Sequence, residues 1–175
     1  MTLLLKQIFG FLKLLNSDTG TNQLAAGVAA GFVLGMTPAF SLQTITIILL
    51  ILFFRIQVGA ALLGAFFFAF PAYLLDPVFN SVGSSLLESE GLKSLWTSLY
   101  NMPIIPYTRF YNSLVMGSGV VAFALSPFVF IGSKILIQKY RVVVVERFKE
   151  TKFWKAVKAT ALFKWYAKYD SLYSV

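Results

Sequence analysis

The chain has 175 residues, of which 58% are hydrophobic and 13% charged, and it carries a net charge of +8. A soluble domain holds about a quarter charged residues, and a core of this size cannot hide so much apolar surface from water, so lipid is expected to cover it. The absence of Cys and His excludes a disulfide framework and thiolate metal sites, and removes the commonest general base and metal ligand.

Three runs, 19–54, 56–75 and 110–133, contain no Asp, Glu, Lys or Arg. Each is long enough for the roughly 20 apolar residues that a membrane span needs. The reading is an all-α membrane protein in one membrane domain, 20–135. Residues 1–16 precede it as an interfacial amphipathic helix, with Lys6, Gln7 and Lys13 among Leu, Ile and Phe. Those lysines and the lack of a nearby cleavage site favour a retained segment over a cleaved signal peptide.

Residues 22–54 are too long for one ordinary span, and Met36-Thr37-Pro38-Ala39-Phe40 interrupts them. Proline has no N–H and clashes with the preceding turn. Each half is about 14 residues, or ~21 Å, short of the ~30 Å hydrocarbon core. Lys6 and Lys13 precede the segment and Arg55 follows it; if positive residues stay in the cytoplasm, both ends lie on one side. That requires a Pro-broken hairpin, either re-entrant or of two short spans. Residues 56–75 then cross outward and 110–133 cross back. This scheme leaves thirteen of the fifteen Lys and Arg inside, and only Lys93 and Arg109 outside. It gives a multi-pass protein with cytoplasmic N- and C-termini, as expected of a bacterial inner-membrane protein.

The outer segment 76–109 is predicted to hold a surface-lying helix. Ser85-Leu86-Leu87-Glu88 fits a capping box, Leu92, Leu95, Trp96 and Leu99 continue an apolar face, and Met102-Pro103-Ile104-Ile105-Pro106 ends it. Residues 136–175 form a basic tail, in which Val142–Val145 fits a helix end or a strand. From 148 to 169, Trp154, Val157, Ala161 and Trp165 recur at helical spacing, with Lys149, Lys152, Lys155 and Lys158 a turn apart. Lys149, Lys152, Trp154, Lys155, Lys158 and Trp165 are therefore candidates for contact with anionic headgroups. Ten of the fifteen basic residues lie in 134–175, a pattern that suits lipid and not nucleic acid, since no recognition motif accompanies it.

A short internal echo places Gly27, Gly31 and Pro38 in step with Ala60, Gly64 and Pro71 at an offset of 33. Paired broken segments are a pointer to transporter-like repeats. Gly27, Gly31 and Gly35 also form a GxxxGxxxG row, suited to close helix packing. Packing against the 42–54 arm is the first expectation, and homo-oligomerisation the second.

The run Ala25-Ala26-Gly27-Val28-Ala29-Ala30-Gly31-Phe32-Val33-Leu34-Gly35, then Thr37-Pro38, Phe40 and Leu42-Gln43-Thr44, resembles a bacterial family of small inner-membrane proteins of unknown function. Arg55, Leu63-Gly64, Pro71 and Leu114-Val115-Met116-Gly117-Ser118 continue the resemblance over roughly 20–135. Gln57 and Phe70 depart from it, standing where the family usually has Asn. The resemblance implies a membrane location, with Gly117 as a further packing position, and in some relatives a joined glycosyltransferase. It implies no established activity.

Polar groups at membrane depth are tolerated only inside protein or beside water. The break at Thr37, Pro38, Ser41, Gln43 and Thr44, with Pro71 and Asp76, is therefore the candidate cavity or lipid site; the plainer reading is that these side chains cap helices freed by Pro38. Asp76 is expected at the outer edge of a span, and Arg55 as an orientation anchor. Glu88 and Glu90, two apart, do not face one another on a helix. No catalytic set, metal site or cofactor motif is present. The expected function is a non-enzymatic membrane component of envelope or lipid handling, an anchor or a place where lipid enters. The alternatives are a small oligomeric permease or channel, and an accessory subunit of a lipid-linked glycosyltransferase. The expected partners are membrane lipids, a membrane or periplasmic protein, or a second copy.

Overall fold

The computed structural model describes residues 7, 10, 14, 15 and 19–146. The predicted tail contacts Lys149, Lys152, Trp154, Lys155, Lys158 and Trp165 lie outside them, as does most of the N-terminal amphipathic segment. Gln7, Gly10, Leu14 and Leu15 are helical, and Leu15 is buried. The fold is all-α, with no strand among the described residues. Its helices are α1 (Thr21–Met36), α2 (Leu42–Phe53), α3 (Val58–Leu87), α4 (Lys93–Tyr100) and α5 (Ser113–Tyr140), with 3-10 turns at Glu90–Leu92 and Ile105–Thr108. Residues Met1–Ile137 cluster as one compact unit and Gln138–Val175 as another; the described part of the second is the end of α5 and a π-helical turn, Arg141–Glu146. The valine run 142–145 is thus helical.

Pro38 ends α1 as its chemistry requires, because it offers no N–H to the Leu34 carbonyl. Thr37 closes the helix, its backbone N–H donating to Val33 O at 3.1 Å and its Oγ1 to the same oxygen at 2.8 Å. Phe40 turns the chain with a left-handed φ of 62°. Ser41 then caps α2, its Oγ accepting from the Thr44 N–H at 3.3 Å, while Thr44 Oγ1 donates to Pro38 O at 3.3 Å. At 1.5 Å per residue α1 is ~24 Å long and α2 ~18 Å, each short of a full crossing. The chain comes back to where it started: Gln57 N–H donates to Gln23 O at 3.3 Å, so both ends of the 22–54 hairpin meet.

The glycine row packs within the chain, but against α3 and not against the 42–54 arm. A Cβ added at Gly27 would lie 2.6 Å from Gln57 O, at Gly31 2.8 Å from Gly64 Cα, and at Gly35 2.7 Å from Ala65 O. Residue numbers rise together along the two helices, so α1 and α3 run parallel with backbones in contact. Gly31 meets Gly64, its equivalent in the offset-33 echo. The arm fails as a partner because its inward side chains are large (Ile47, Ile51), whereas α3 offers Ala60, Ala61, Gly64 and Ala65 to the glycines. Ala30, Val33, Met36, Ile47, Ala61, Phe79 and Ala122 form the core where α1, α2, α3 and α5 meet.

Two boundaries differ from expectation. The crossing expected over 56–75 has no helix end at 75, for α3 continues through Pro71 and Pro77 to Leu87. Ser85-Leu86-Leu87-Glu88 is accordingly the end of α3, with Glu88 its C-cap, and not the capping box of an outer helix. Pro38 and Pro71 part ways through the residues just beyond each. Ser41 stands ready to cap a new helix, whereas Pro71 precedes Leu74, Leu75, Val78 and Phe79, which keep a helical apolar face. Phe79 is 1% exposed, and its backbone and that of Gly83 pack against Gly117 of α5, which holds the helix on course past both prolines. Asn80 Oδ1 accepts a short hydrogen bond from Ser113 Oγ at the same crossing.

The second long helix, predicted at 110–133, runs instead from Ser113 to Tyr140. Asn112 starts it, its Oδ1 accepting from Val115 N–H at 3.2 Å. Pro127 leaves the Phe123 carbonyl without a helical donor, and Ser126 Oγ supplies one at 2.9 Å. The surface helix α4 begins at Lys93, and Trp96 Nε1 donates to Leu86 O at 3.0 Å, occupying a carbonyl of the last turn of α3.

Candidate functional site

The hairpin tip packs against the middle of α3, and a cleft of about 300 Å³ opens there. Gly35, Met36, Thr37 and Pro38 line it from the tip, Ala69, Ala72, Tyr73 and Asp76 from α3, and Leu114 from α5. Of the sequence-predicted site residues, the fold brings Thr37, Pro38 and Asp76 together here. Ser41 and Thr44 are spent on starting α2, the plainer role foreseen for them. Pro71 lies within α3, one residue before Ala72, and does not line the cleft.

Asp76 is not at the end of its helix. It is half-buried and stands eleven residues (76 to 87) before the end of α3, or ~16 Å along the axis. The helix runs on because neither Pro71 nor Pro77 ends it. Tyr73, which sequence reasoning passes over, is 81% exposed on the cleft rim. Its spacing of three from Asp76 is the signal that would have found it, given a continuous helix.

Gln43 goes elsewhere. Its Nε2 donates to Val115 O at 3.2 Å, and the side chain fills the space above Gly119, where no Cβ fits. Its Oε1 is buried without a hydrogen-bond partner among the described residues. Gln43 therefore joins the start of α2 to α5 through the missing side chain of Gly119, and the role of Gly119 is one that sequence reasoning misses. Gly117, predicted as a packing position, is where α5 crosses α3. No group of three or more Asp or Glu able to hold a metal ion occurs among the described residues.

The described fold is thus that of an all-helical protein with a broken hairpin beside two helices, Val58–Leu87 and Ser113–Val143, each long and apolar enough to cross a membrane. The chain belongs to the family described as "Uncharacterized protein conserved in bacteria (DUF2062)", whose model matches residues 8–144. It is also 29% identical over 122 residues to an "Uncharacterized protein" of Treponema pallidum (strain Nichols), a match covering 70% of this chain and 75% of the relative. No solved structure matches the chain.

Proposed function

We propose that this chain is a multi-pass protein of the bacterial inner membrane that handles lipid, holding a headgroup in the cleft at the tip of its hairpin. The observation that carries the reading is the position of Asp76. It lies 18 residues (58 to 76) past the start of α3, ~27 Å along the axis. With the base of α3 at one edge of the ~30 Å hydrocarbon core, the cleft falls at headgroup level on the opposite edge. The surface around the cleft is apolar, with Phe70 and Leu74 exposed on the same helix, as a lateral opening to lipid requires. Arg55 stands at the base, and Lys6 and Lys13 precede the hairpin in the sequence; the positive-inside bias of these residues supports a cytoplasmic base and hence a headgroup of the outer leaflet.

Filling the cleft tests this. In native mass spectrometry of the detergent-purified protein, the wild type retains a tightly bound lipid and Ala72→Phe loses it while keeping its helical circular dichroism. An unchanged lipid adduct in a folded Ala72→Phe variant rejects the reading.

One observation favours a second reading, that of a small permease. The parallel packing of Gly31 on Gly64 joins the two halves of an internal echo, as in transporters built from parallel repeats. Solute flux across reconstituted vesicles is its test.

A further inference from the structure

The cleft offers acceptors almost throughout. Asp76 contributes the sole ionisable group apart from the Tyr73 phenol among its lining residues, and that group is acidic; among the described residues no Lys or Arg lines it. Thr37 turns its one hydroxyl proton to Val33 O, which leaves Oγ1 with lone pairs alone. Gly35 and Met36 belong to the last turn of α1, where carbonyls lack helical partners and the helix dipole is negative. Two prolines add to this. Pro38 withholds a donor from Leu34 O, and Pro77 withholds one from Tyr73 O, on a residue of the cleft itself. Among the described lining residues the one side-chain donor not already spent is the Tyr73 hydroxyl, whose ring stands at the rim where a cation can meet its face.

An occupant complementary to this lining brings N–H donors and a positive charge. A primary ammonium has three donors and fits. A quaternary choline has the charge but no N–H, and a bare phosphate or glycerol phosphate brings only further negative charge and acceptors. The volume equals that of about ten waters, room for a short aminoalkyl group, and far more than a desolvated alkali ion fills. Building on the headgroup reading above, we propose that the cleft selects a primary ammonium, carried by an aminolipid or by a soluble amine, over choline and anionic headgroups.

The test uses delipidated full-length protein offered equimolar phosphatidylethanolamine, phosphatidylcholine and phosphatidylglycerol with identical acyl chains, and reads adducts by native mass spectrometry. The wild type should prefer the ethanolamine lipid by about tenfold, the weight of one charge-assisted hydrogen bond. Asp76→Asn should erase that preference, and Asp76→Glu should keep most of it. Free ethanolamine assigns the source: displacement of the lipid by millimolar amine places a soluble amine in the cleft, and no displacement places an aminolipid there, either result upholding the ammonium. Equal binding of the three lipids overturns the proposal while a lipid lost on Ala72→Phe still supports a headgroup cleft. A preference that survives Asp76→Asn also overturns it.

Discussion

The backbone N–H of Gln57 donates to the carbonyl of Gln23 over 3.3 Å, tying the start of α3 to the first turn of α1. Thirty-three intervening residues leave this point, turn at Pro38–Ser41 and come back. A proline-broken helix that crossed the membrane could not close this bond. The hairpin is therefore set by one local break and one return contact, and the cleft lies where its tip turns, short of the far end of α3.

The contact of α1 with α3 depends on the absence of side chains. Gly31→Val places a branched group where even a Cβ lies 2.8 Å from the Gly64 backbone, and should cost about 1–3 kcal/mol, overpacking at a rigid contact. Gly132, with nothing within 4 Å, is the control. Gly132→Ala should raise stability by up to about 1 kcal/mol through helix propensity alone. Thermal unfolding in detergent followed by circular dichroism reads both. Equal effects would show that the glycine row is not an interface.

Gln43 and Gly119 are coupled as a filled space and its filler. Gly119→Ala pushes the new methyl into the Gln43 amide, and Gln43→Ala gives up the bond to Val115 O, worth ~0.6 kcal/mol for an average interhelical bond in a membrane. In the double variant the alanine methyl enters space that the glutamine has vacated. The two losses should fall short of their sum by about 0.5 kcal/mol or more in a double-mutant cycle, since contacting residues couple. Strict additivity contradicts the packing described.

Phe40 holds a left-handed φ of 62° with its side chain 85% exposed. Such a conformation costs a non-glycine residue about 1–2 kcal/mol. Phe40→Gly should thus stabilise the hairpin by about 1 kcal/mol, read as a higher unfolding midpoint. A lower midpoint would mean that the phenyl ring anchors the tip.

Pro71 lies inside a continuous helix and withholds a donor from Phe67 O. Pro71→Ala restores it and should raise stability, by up to ~3 kcal/mol if the helix propensity difference is fully expressed. Pro38→Ala has no such gain, because Phe40 and Ser41 turn the chain whether or not residue 38 has a donor. A stabilised Pro38 variant with an unchanged Pro71 variant would reverse the roles assigned to the two prolines.

The hairpin was legible because its signals are local: an apolar run of known length, a proline, a capping serine just beyond it, and a basic residue at either end. The far end of α3 was not, because the same residue type has opposite outcomes at Pro38 and Pro71. What decides is whether the next turn is capped, as at Ser41, or gripped by another helix, as Phe79 is by Gly117. The second circumstance is tertiary: Leu75 and Phe79 offer an apolar face after Pro71, but Gly117, which holds it, lies far along the chain. The partner of the glycine row was hidden for a related reason. Small residues announce a close approach, but only the fold says that Gly31 approaches Gly64. Gln43 illustrates a third limit, since a polar residue near a break reads as a site until Gly119 is seen beneath it.

The return of the hairpin is most directly tested by side-specific labelling, which the cysteine-free sequence makes clean. Gly20→Cys, Phe54→Cys and Ser85→Cys, one per protein, are exposed to an impermeant maleimide from either side of oriented inner-membrane vesicles. Residues 20 and 54 should label from the same, cytoplasmic side and residue 85 from the other. Labelling of 20 and 54 from opposite sides would contradict the account.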